Sequence, residues 1–183
     1  MAILGARPVR GAAAALLLGL LGAGQEVELS EYVVKAGFLF NFAKYVEWPA
    51  DVFDGPKAPI RIGIAGDDPF GPTIEKTLKD KSVNGRSFTI ERFKNPEDVK
   101  RCHILFVSRA VKERVAAMLD RAREPGVLTV GEEKGFAQAG GVVAILIEDG
   151  KPKLEVNLDA AQERKVTINA KLLKLAVLVR TEK

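Results

Sequence analysis

The chain has 183 residues, of which 47% are hydrophobic and 28% are charged. These proportions are typical of one soluble globular domain and exclude a disordered chain. Its single cysteine and single histidine exclude an internal disulfide and a zinc site built from the chain's own Cys and His ligands.

The first 24 residues have the order of a secretory signal peptide. Arg7 and Arg10 precede an apolar run of Gly, Ala and Leu at residues 11–22, and small residues follow it. This order predicts export and cleavage near Ala23 or Gly24. The run is shorter than the ~18–20 residues that span a bilayer, although an uncleaved N-terminal anchor remains the alternative.

The predicted signal peptide changes how the charge is interpreted. The whole chain has a formal net charge of +4, but residues 1–24 hold two of the 28 basic residues and none of the 24 acidic ones. The remainder is nearly balanced, and its charges alternate in sign after residue 50. Nucleic-acid binding requires a basic stripe, so we expect residues 25–183 to form a single exported domain without a nucleic-acid partner.

The first element of this domain is predicted to be a helix at residues 30–47. Ser30 is a suitable N-cap, and Trp48 followed by Pro49 ends the element. Its few polar residues do not share one face, so the helix is apolar almost all round. Such a helix is either enclosed within the domain or carries a second apolar face for a partner.

The remaining elements alternate between strands and helices. Strands are predicted at residues 60–66, 87–93, 102–108, 127–130, 142–148 and 153–158, and helices at residues 69–78 (capped by Asp67 and Asp68), 110–123 and 169–180. The turn Asn84-Gly85 predicts a small hairpin between residues 82–83 and 87–93. The order predicts an α/β single-domain sandwich with a mixed, mostly parallel central sheet, helices on both faces and an antiparallel edge hairpin at residues 142–158.

A catalytic constellation is not apparent in the sequence. His103 lies within an apolar strand and favours a structural role, and Ser108 favours a helix cap over a nucleophile. The glycines near residue 66 do not have phosphate-loop spacing, and the acidic pair Glu132 and Glu133 is expected to be solvated. We therefore predict that the protein is not an enzyme and has no cofactor or metal.

Binding is the remaining class of function. Aromatic residues are dense along the first helix, and aromatic residues dominate recognition surfaces. We predict Phe40, Tyr45 and Trp48 as partner contacts. The alternative is a small-ligand site at the carboxyl ends of the central strands, formed by Asp67, Ser108 and Gly131.

The chain also resembles a known family in an ordered series of motifs. The sequence VKAGFLFNFAKYVEWP at residues 34–49 closely resembles the opening motif of the YfiR family of exported regulators. Further similar segments follow in order at residues 66–71, 102–108, 127–131, 135–137, 140–141, 154–161 and 171–176. The resemblance covers nearly the whole chain after residue 24.

The resemblance implies a periplasmic α/β domain that is often a homodimer. The best-known member represses a membrane diguanylate cyclase by binding the sensor part of the cyclase in the periplasm. It implies here a non-enzymatic regulator of a membrane signalling protein, either a diguanylate cyclase or a histidine kinase. Because Cys102 is the only cysteine, an internal disulfide switch does not transfer to this chain. A small-ligand sensory module of the cell envelope is the alternative function.

Overall fold

The computed structural model describes the backbone of residues 22–182 and the side chains of residues 31–111 and 113–182. Residues 1–21, most of the predicted signal peptide, lie outside the described residues. The helices are α1 (Gly22–Tyr45), α2 (Thr73–Leu78), α3 (Val115–Arg121), α4 (Leu158–Glu163) and α5 (Ala170–Leu173). The strands are β1 (Val46–Glu47), β2 (Ile60–Ala65), β3 (Phe88–Phe93), β4 (Ile104–Val107), β5 (Leu128–Gly131), β6 (Val143–Glu148), β7 (Lys151–Asn157), β8 (Thr167–Ile168) and β9 (Ala176–Val179).

Seven of these strands form one sheet in the order β3-β2-β4-β5-β6-β7-β9. Every neighbouring pair is parallel except β6 and β7, which form an antiparallel hairpin through Asp149 and Gly150. Strands β1 and β8 form a separate antiparallel pair that joins the end of α1 to the C-terminal part of the chain. The predicted fold class, a mixed and mostly parallel α/β sandwich, is confirmed.

The sheet has a hydrophobic core on each face, which explains the nearly continuous apolar runs of β2, β4 and β5. On one face, α1 packs against the sheet through Ala36, Leu39 and Phe42, and α2, α4 and α5 join the same core. On the other face, α3 covers the sheet through Met118 and Leu119. Helix α1 is thus the principal cover of the larger core.

The C-terminal helix predicted at residues 169–180 is wrong. Asn169 does cap a helix, because its side chain accepts a hydrogen bond from the Lys171 amide, but α5 ends at Leu173. Residues 176–179 then form β9, which pairs in parallel with β7. The physical reason is that the valines of β9 favour extended backbone and that β7 offers a strand edge for them to pair with.

Two further predictions need correction. The Asn84-Gly85 turn is present, with positive φ at both residues, but it supports only a single bridge between Val83 and Arg86. The predicted hairpin is therefore wrong, because β3 pairs in parallel with β2 instead. Helix α2 begins at Thr73 instead of near Pro69, since Gly71 adopts a positive φ that interrupts helical backbone.

Candidate functional site

The carboxyl edge of the parallel strands carries the most unusual chemistry of the molecule. The predicted ligand-site residues Asp67, Ser108 and Gly131 all lie at this edge, at the ends of the neighbouring strands β2, β4 and β5. Asp67 is exposed, whereas Ser108 and Gly131 are buried. The edge is also the place where open α/β sheets bind ligands.

Glu132, the residue directly after β5, is the centre of a buried ion cluster. Its side chain has no exposed surface, yet it accepts four hydrogen bonds. The Tyr32 hydroxyl donates at 3.1 Å, the Arg109 amide at 2.8 Å and Arg109 Nη2 at 3.3 Å, and Lys35 Nζ donates the fourth. A carboxylate that is buried without such donors is strongly destabilising, so these contacts are needed for its charge.

The cluster is completed by Glu31, which lies one helical turn before Lys35. Lys35 is 1% exposed and forms ion pairs with both Glu31 and Glu132. Arg109, which lies at the exposed rim of the cluster, places its Nη2 atom 2.7 Å from Glu31 Oε1. We call Glu31, Tyr32, Lys35, Arg109 and Glu132 the ion cluster; it balances two carboxylates against two cations and fastens α1 to the carboxyl edge.

The surroundings fix the charge states within the ion cluster. Burial on its own raises the pKa of Glu132, but hydrogen bonds and charge attraction from Lys35 and Arg109 outweigh it and hold the pKa below its usual range. Burial raises the pKa of Tyr32, and the adjacent Glu132 carboxylate raises it further. Glu132 is therefore ionised and Tyr32 neutral at neutral pH.

The local sequence pattern does not reveal this cluster. The expectation that Glu132 is solvated is wrong, because Lys35, which lies 97 residues earlier in the chain, covers it. Glu133, its neighbour, is partly exposed. The available signal was Lys35 itself: it shares the buried face of α1 with Tyr32 and Leu39, where a cation requires an acidic partner.

Two of the predicted ligand-site residues have structural roles. The Ser108 Oγ atom accepts a hydrogen bond from the Ala110 amide at 3.2 Å and so caps the turn that follows β4. Gly131 lies against the ring of Phe136, where an added Cβ would approach to 2.2 Å. Both residues therefore shape the carboxyl edge from within, and neither presents a free side chain there.

The predicted partner contacts Phe40, Tyr45 and Trp48 are all half-buried and pack against the larger core. Phe40 meets Phe88 edge to face, with ring centroids 5.9 Å apart. Trp48 contacts the rings of Phe53 at 6.4 Å and His103 at 6.3 Å. Part of each predicted contact remains accessible at the surface.

Helix α1 also has an apolar outer face, on the side away from the sheet. Val33 is 51% exposed and Val34 is 37% exposed. One turn later, Gly37 has open space where a Cβ would lie, and Phe38 and Phe40 are half-buried beside it. We call Val33, Val34, Gly37, Phe38 and Phe40 the outer face of α1; it corresponds to one of the two alternatives that the sequence left open.

Burial keeps both His103 and Cys102 in their neutral forms at neutral pH. Burial, with the nearby charge of Arg61, lowers the pKa of His103 to about 4, and His103 Nδ1 accepts a hydrogen bond from the Arg61 amide at 2.9 Å. Burial raises the pKa of the Cys102 thiol to about 12. Among the side chains that the structure describes, no group of three or more His, Cys, Asp or Glu residues is arranged to hold a metal ion.

Comparisons with known proteins identify one family. A family model described as YfiR/HmsC-like matches residues 32–177. No curated protein matches the chain at a significant level of sequence similarity. Across the described part of the chain, every helix is too short or too polar to cross a membrane.

Two solved structures show partial similarity. One is a conserved domain protein from Vibrio cholerae, with 13% identity and a TM-score of 0.48 over 65% of this chain. The other is the ABC domain in complex with L-Trp from Streptococcus pneumoniae, with 14% identity and a TM-score of 0.47 over 65% of this chain. This chain spans 54% of the length of each. At these scores the alignments establish neither a common fold nor a common function.

Proposed function

Since the chain belongs to the YfiR/HmsC-like family, we propose that it is an exported, periplasmic regulator of cyclic di-GMP signalling. It binds the sensor part of a membrane signalling protein, a diguanylate cyclase or a histidine kinase, and shifts the balance between the active and inactive states of that protein. Such control requires different affinities for the two states. The regulator itself performs no chemistry.

The observation that carries this proposal is the outer face of α1. Val33 and Val34 are exposed large apolar residues, and the half-buried Phe38 and Phe40 extend the same apolar surface along the helix. An apolar helix face of this kind is suited to pack against a helix or groove of a partner. Phe40, Tyr45 and Trp48 supply the aromatic contacts at the C-terminal end of this surface.

The ion cluster supports the same proposal in a different way. It holds the N-terminal half of α1 at the carboxyl edge, so the outer face is presented on a fixed support. Preorganised surfaces bind with a smaller loss of conformational entropy than mobile ones. Arg109, whose side chain is 47% exposed, adds a charged group beside Glu31 and the ring of Tyr32 on α1.

The first experiment is a crosslinking pull-down of the tagged mature protein from its own cell envelope, read by mass spectrometry. We expect an integral membrane cyclase or kinase with an exported sensor segment. Recovery of the protein alone, under conditions that recover a known envelope complex, contradicts the proposal.

Variants then locate the contact surface. We expect the double variant Val33→Lys, Val34→Lys and the triple variant Phe40→Ala, Tyr45→Ala, Trp48→Ala to reduce partner recovery at least tenfold, because central apolar contacts carry most of the binding energy. The matched control is Leu158→Lys, which alters an exposed apolar residue at the start of α4. Circular dichroism of each variant separates loss of folding from loss of binding. Equal recovery for both α1 variants and the control contradicts the assignment of this surface.

The second candidate function, a small-ligand sensory module, is favoured by one cavity. It has a volume of 310 Å³ and is lined by Trp48, Phe53, Arg86 and Lys44 among others. It lies away from the carboxyl edge where Asp67, Ser108 and Gly131 are found. A thermal-shift screen of envelope metabolites tests this function, because a ligand that binds only the native state raises the melting temperature. Trp48→Ala is expected to abolish any shift that arises at this cavity.

A further inference from the structure

Residues 48–59 connect β1 to β2 and lie over His103, the residue directly before β4. We call residues 48–59 the strap; it contains three prolines. Among the described residues, every backbone-to-backbone hydrogen bond of the strap closes a short turn within it. The strap is therefore fastened to the rest of the domain by side chains and not by strand pairing.

Three arginines outside the strap hold it in place. Arg61 Nη1 lies 2.6 Å from Asp54 Oδ2 in an ion pair. Arg86 Nη1 donates hydrogen bonds to two strap carbonyls, each at 2.8 Å, and Arg101 Nη2 donates to a third at 3.4 Å. The strap thus supplies acceptors, and the body of the domain supplies positive charge.

The aromatic side chains of the strap bury His103. The rings of Phe53 and His103 are stacked, with centroids 4.3 Å apart and planes 18° apart, and Trp48 meets His103 edge to face. The Arg86 guanidinium carbon lies 3.8 Å from the centroid of Phe53, so Phe53 is enclosed between Arg86 and His103. His103 is 2% exposed beneath this cover.

The position of His103 in the sheet fixes its backbone and its neutral state. Its amide donates to the Arg61 carbonyl at 2.9 Å, and its carbonyl accepts from the Leu128 amide at 2.8 Å. Its Nδ1 atom accepts a hydrogen bond from the Arg61 amide at 2.9 Å. An imidazolium carries a proton on both ring nitrogens, so two N–H groups would face each other at this site. A charged ring must leave this position, and the strap, which has no strand pairing, is the part of its surroundings that can move.

The charges around His103 oppose its protonation. The groups that act on it are Arg61 on β2, Arg86 before β3, Arg101 before β4 and Asp54 on the strap, which is already paired with Arg61. Burial and the charge of Arg61 lower the pKa of His103 to about 4, with smaller contributions from Arg101 and Arg86, while one carbonyl of the strap acts in the opposite direction. Removal of the cover returns the imidazole to water, where its usual pKa is about 6.5.

We propose that the strap is an acid-released cover: protonation of His103 expels its imidazole from beneath Phe53 and lifts residues 48–59, while the seven-stranded sheet stays folded. Trp48 and Phe53 are also walls of the 310 Å³ cavity described above, so release of the strap opens this cavity. The mechanism needs neither a membrane partner nor a ligand, and it stands independently of both functions proposed above.

The linkage between protonation and release gives the size of the effect. The released strap binds a proton at His103 below about pH 6.5, whereas the closed strap binds it below about pH 4. The closed form is therefore favoured most above about pH 6.5, and the equilibrium moves toward release by up to about 300-fold as the pH falls through about 4. Asp54 stays ionised over this interval, because the hydrogen bond and charge of Arg61 hold its pKa below the usual 3.8.

The first test uses Trp48, the only tryptophan of the chain, as a reporter on the strap. Quenching of its fluorescence by acrylamide is measured on the mature chain between about pH 7.5 and about pH 3.5, with far-UV circular dichroism in parallel. We expect the quenching constant to rise about threefold near pH 4 while the circular dichroism is retained, because local release exposes more of the indole than the closed strap does.

Two variants and a control assign the response to His103 and its cover. His103→Gln removes the titrating group and keeps an acceptor for the Arg61 amide, so its quenching constant should stay at the neutral-pH value down to about pH 4. Phe53→Ala removes the cover without changing His103 and should raise quenching at neutral pH to the level that the wild type reaches in acid. The matched control is Glu133→Gln, which removes a partly exposed carboxylate at the carboxyl edge and should keep the wild-type response.

Four results would overturn the inference. They are a wild-type quenching constant that does not change down to about pH 3.5, an acid response that persists in His103→Gln, a Phe53→Ala variant that is quenched no more than the wild type at neutral pH, and a wild-type response that appears only together with loss of the circular dichroism signal. Partner capture and ligand screening are measured separately, so failure of this inference is distinguishable from failure of the proposed functions.

Discussion

Glu132 shows how strongly a single buried charge depends on its partners. Replacing it by Gln keeps the size of the side chain but leaves the buried Lys35 with only Glu31 as a counter-charge. We expect Glu132→Gln to lower the free energy of unfolding at pH 7 by about 3–5 kcal/mol, measured by urea denaturation. The control is Glu133→Gln at the adjacent, partly exposed position, which should change it by less than about 0.5 kcal/mol. Similar losses in both variants would show that the ion cluster contributes little to stability.

At two glycines, one in α1 and one in β5, substitution by alanine should change the free energy of unfolding in opposite directions. Gly37 lies within α1 with no atom within 4 Å of an added Cβ, so Gly37→Ala should increase the free energy of unfolding by about 0.5–1 kcal/mol through higher helix propensity. Gly131 ends β5 against the ring of Phe136, so Gly131→Ala should lower it by about 1–3 kcal/mol through overpacking. Urea denaturation measures the free energy of unfolding of both variants. This description of α1 and β5 would be contradicted if neither variant were stabilised, or if both were destabilised.

A substitution in helix α1 also tests whether a partner binds its outer face. Gly37→Leu places a bulky side chain on the outer face, where an added Cβ meets no atom within 4 Å, so folding should be preserved. If a partner packs closely on this face, the variant should reduce partner recovery about tenfold or more, while Gly37→Ala should retain most of it. Equal recovery with both variants would place the partner elsewhere on the molecule.

The free energy of unfolding of the whole molecule should decrease as the pH is lowered, and titration of His103 can be used to follow part of this loss. Burial lowers the pKa of His103 to about 4, below its usual 6.5, so the unfolded chain binds a proton there at pH values where the folded protein does not. The stabilisation from neutral His103 is therefore complete above about pH 6.5 and is lost progressively down to about pH 4, by up to about 3 kcal/mol. Because His103 is the only histidine, NMR titration of its imidazole measures this directly. A titration midpoint near 6.5 in the folded protein would contradict the prediction.

At still lower pH the ion cluster should fail as well. The pKa of Glu132 is held below its usual range, so its contribution is present above the unfolded value near 4.3 and is lost as the pH falls through the lower folded value. We expect the stability difference between the wild type and Glu132→Gln to narrow in that acid range. Denaturant titrations of both proteins at several pH values test this, and a constant difference down to pH 3 would contradict it.

The fold of the whole molecule was more predictable than its site. Residues 102–108 and 142–158 carry their own signals, in apolar runs and an Asp149-Gly150 turn, so the parallel centre and the hairpin follow from local sequence. The helix predicted at residues 169–180 was wrong because the leucines of this segment suit a helix. Only pairing with the free edge of β7 determines that β9 is extended. The ion cluster joins residues about a hundred positions apart, and local patterns do not contain that information.

The separation of Lys35 and Glu132 in the sequence also determines the order in which the parts of the ion cluster are synthesised. A ribosome makes α1 first, but Glu132 is added 97 residues after Lys35. At about 5–20 residues per second, the helix waits roughly 5–20 s without the carboxylate that neutralises its buried lysine and without the strands that cover its apolar side. We therefore expect the ion cluster to close, and α1 to pack in its final position, only after β5 is available.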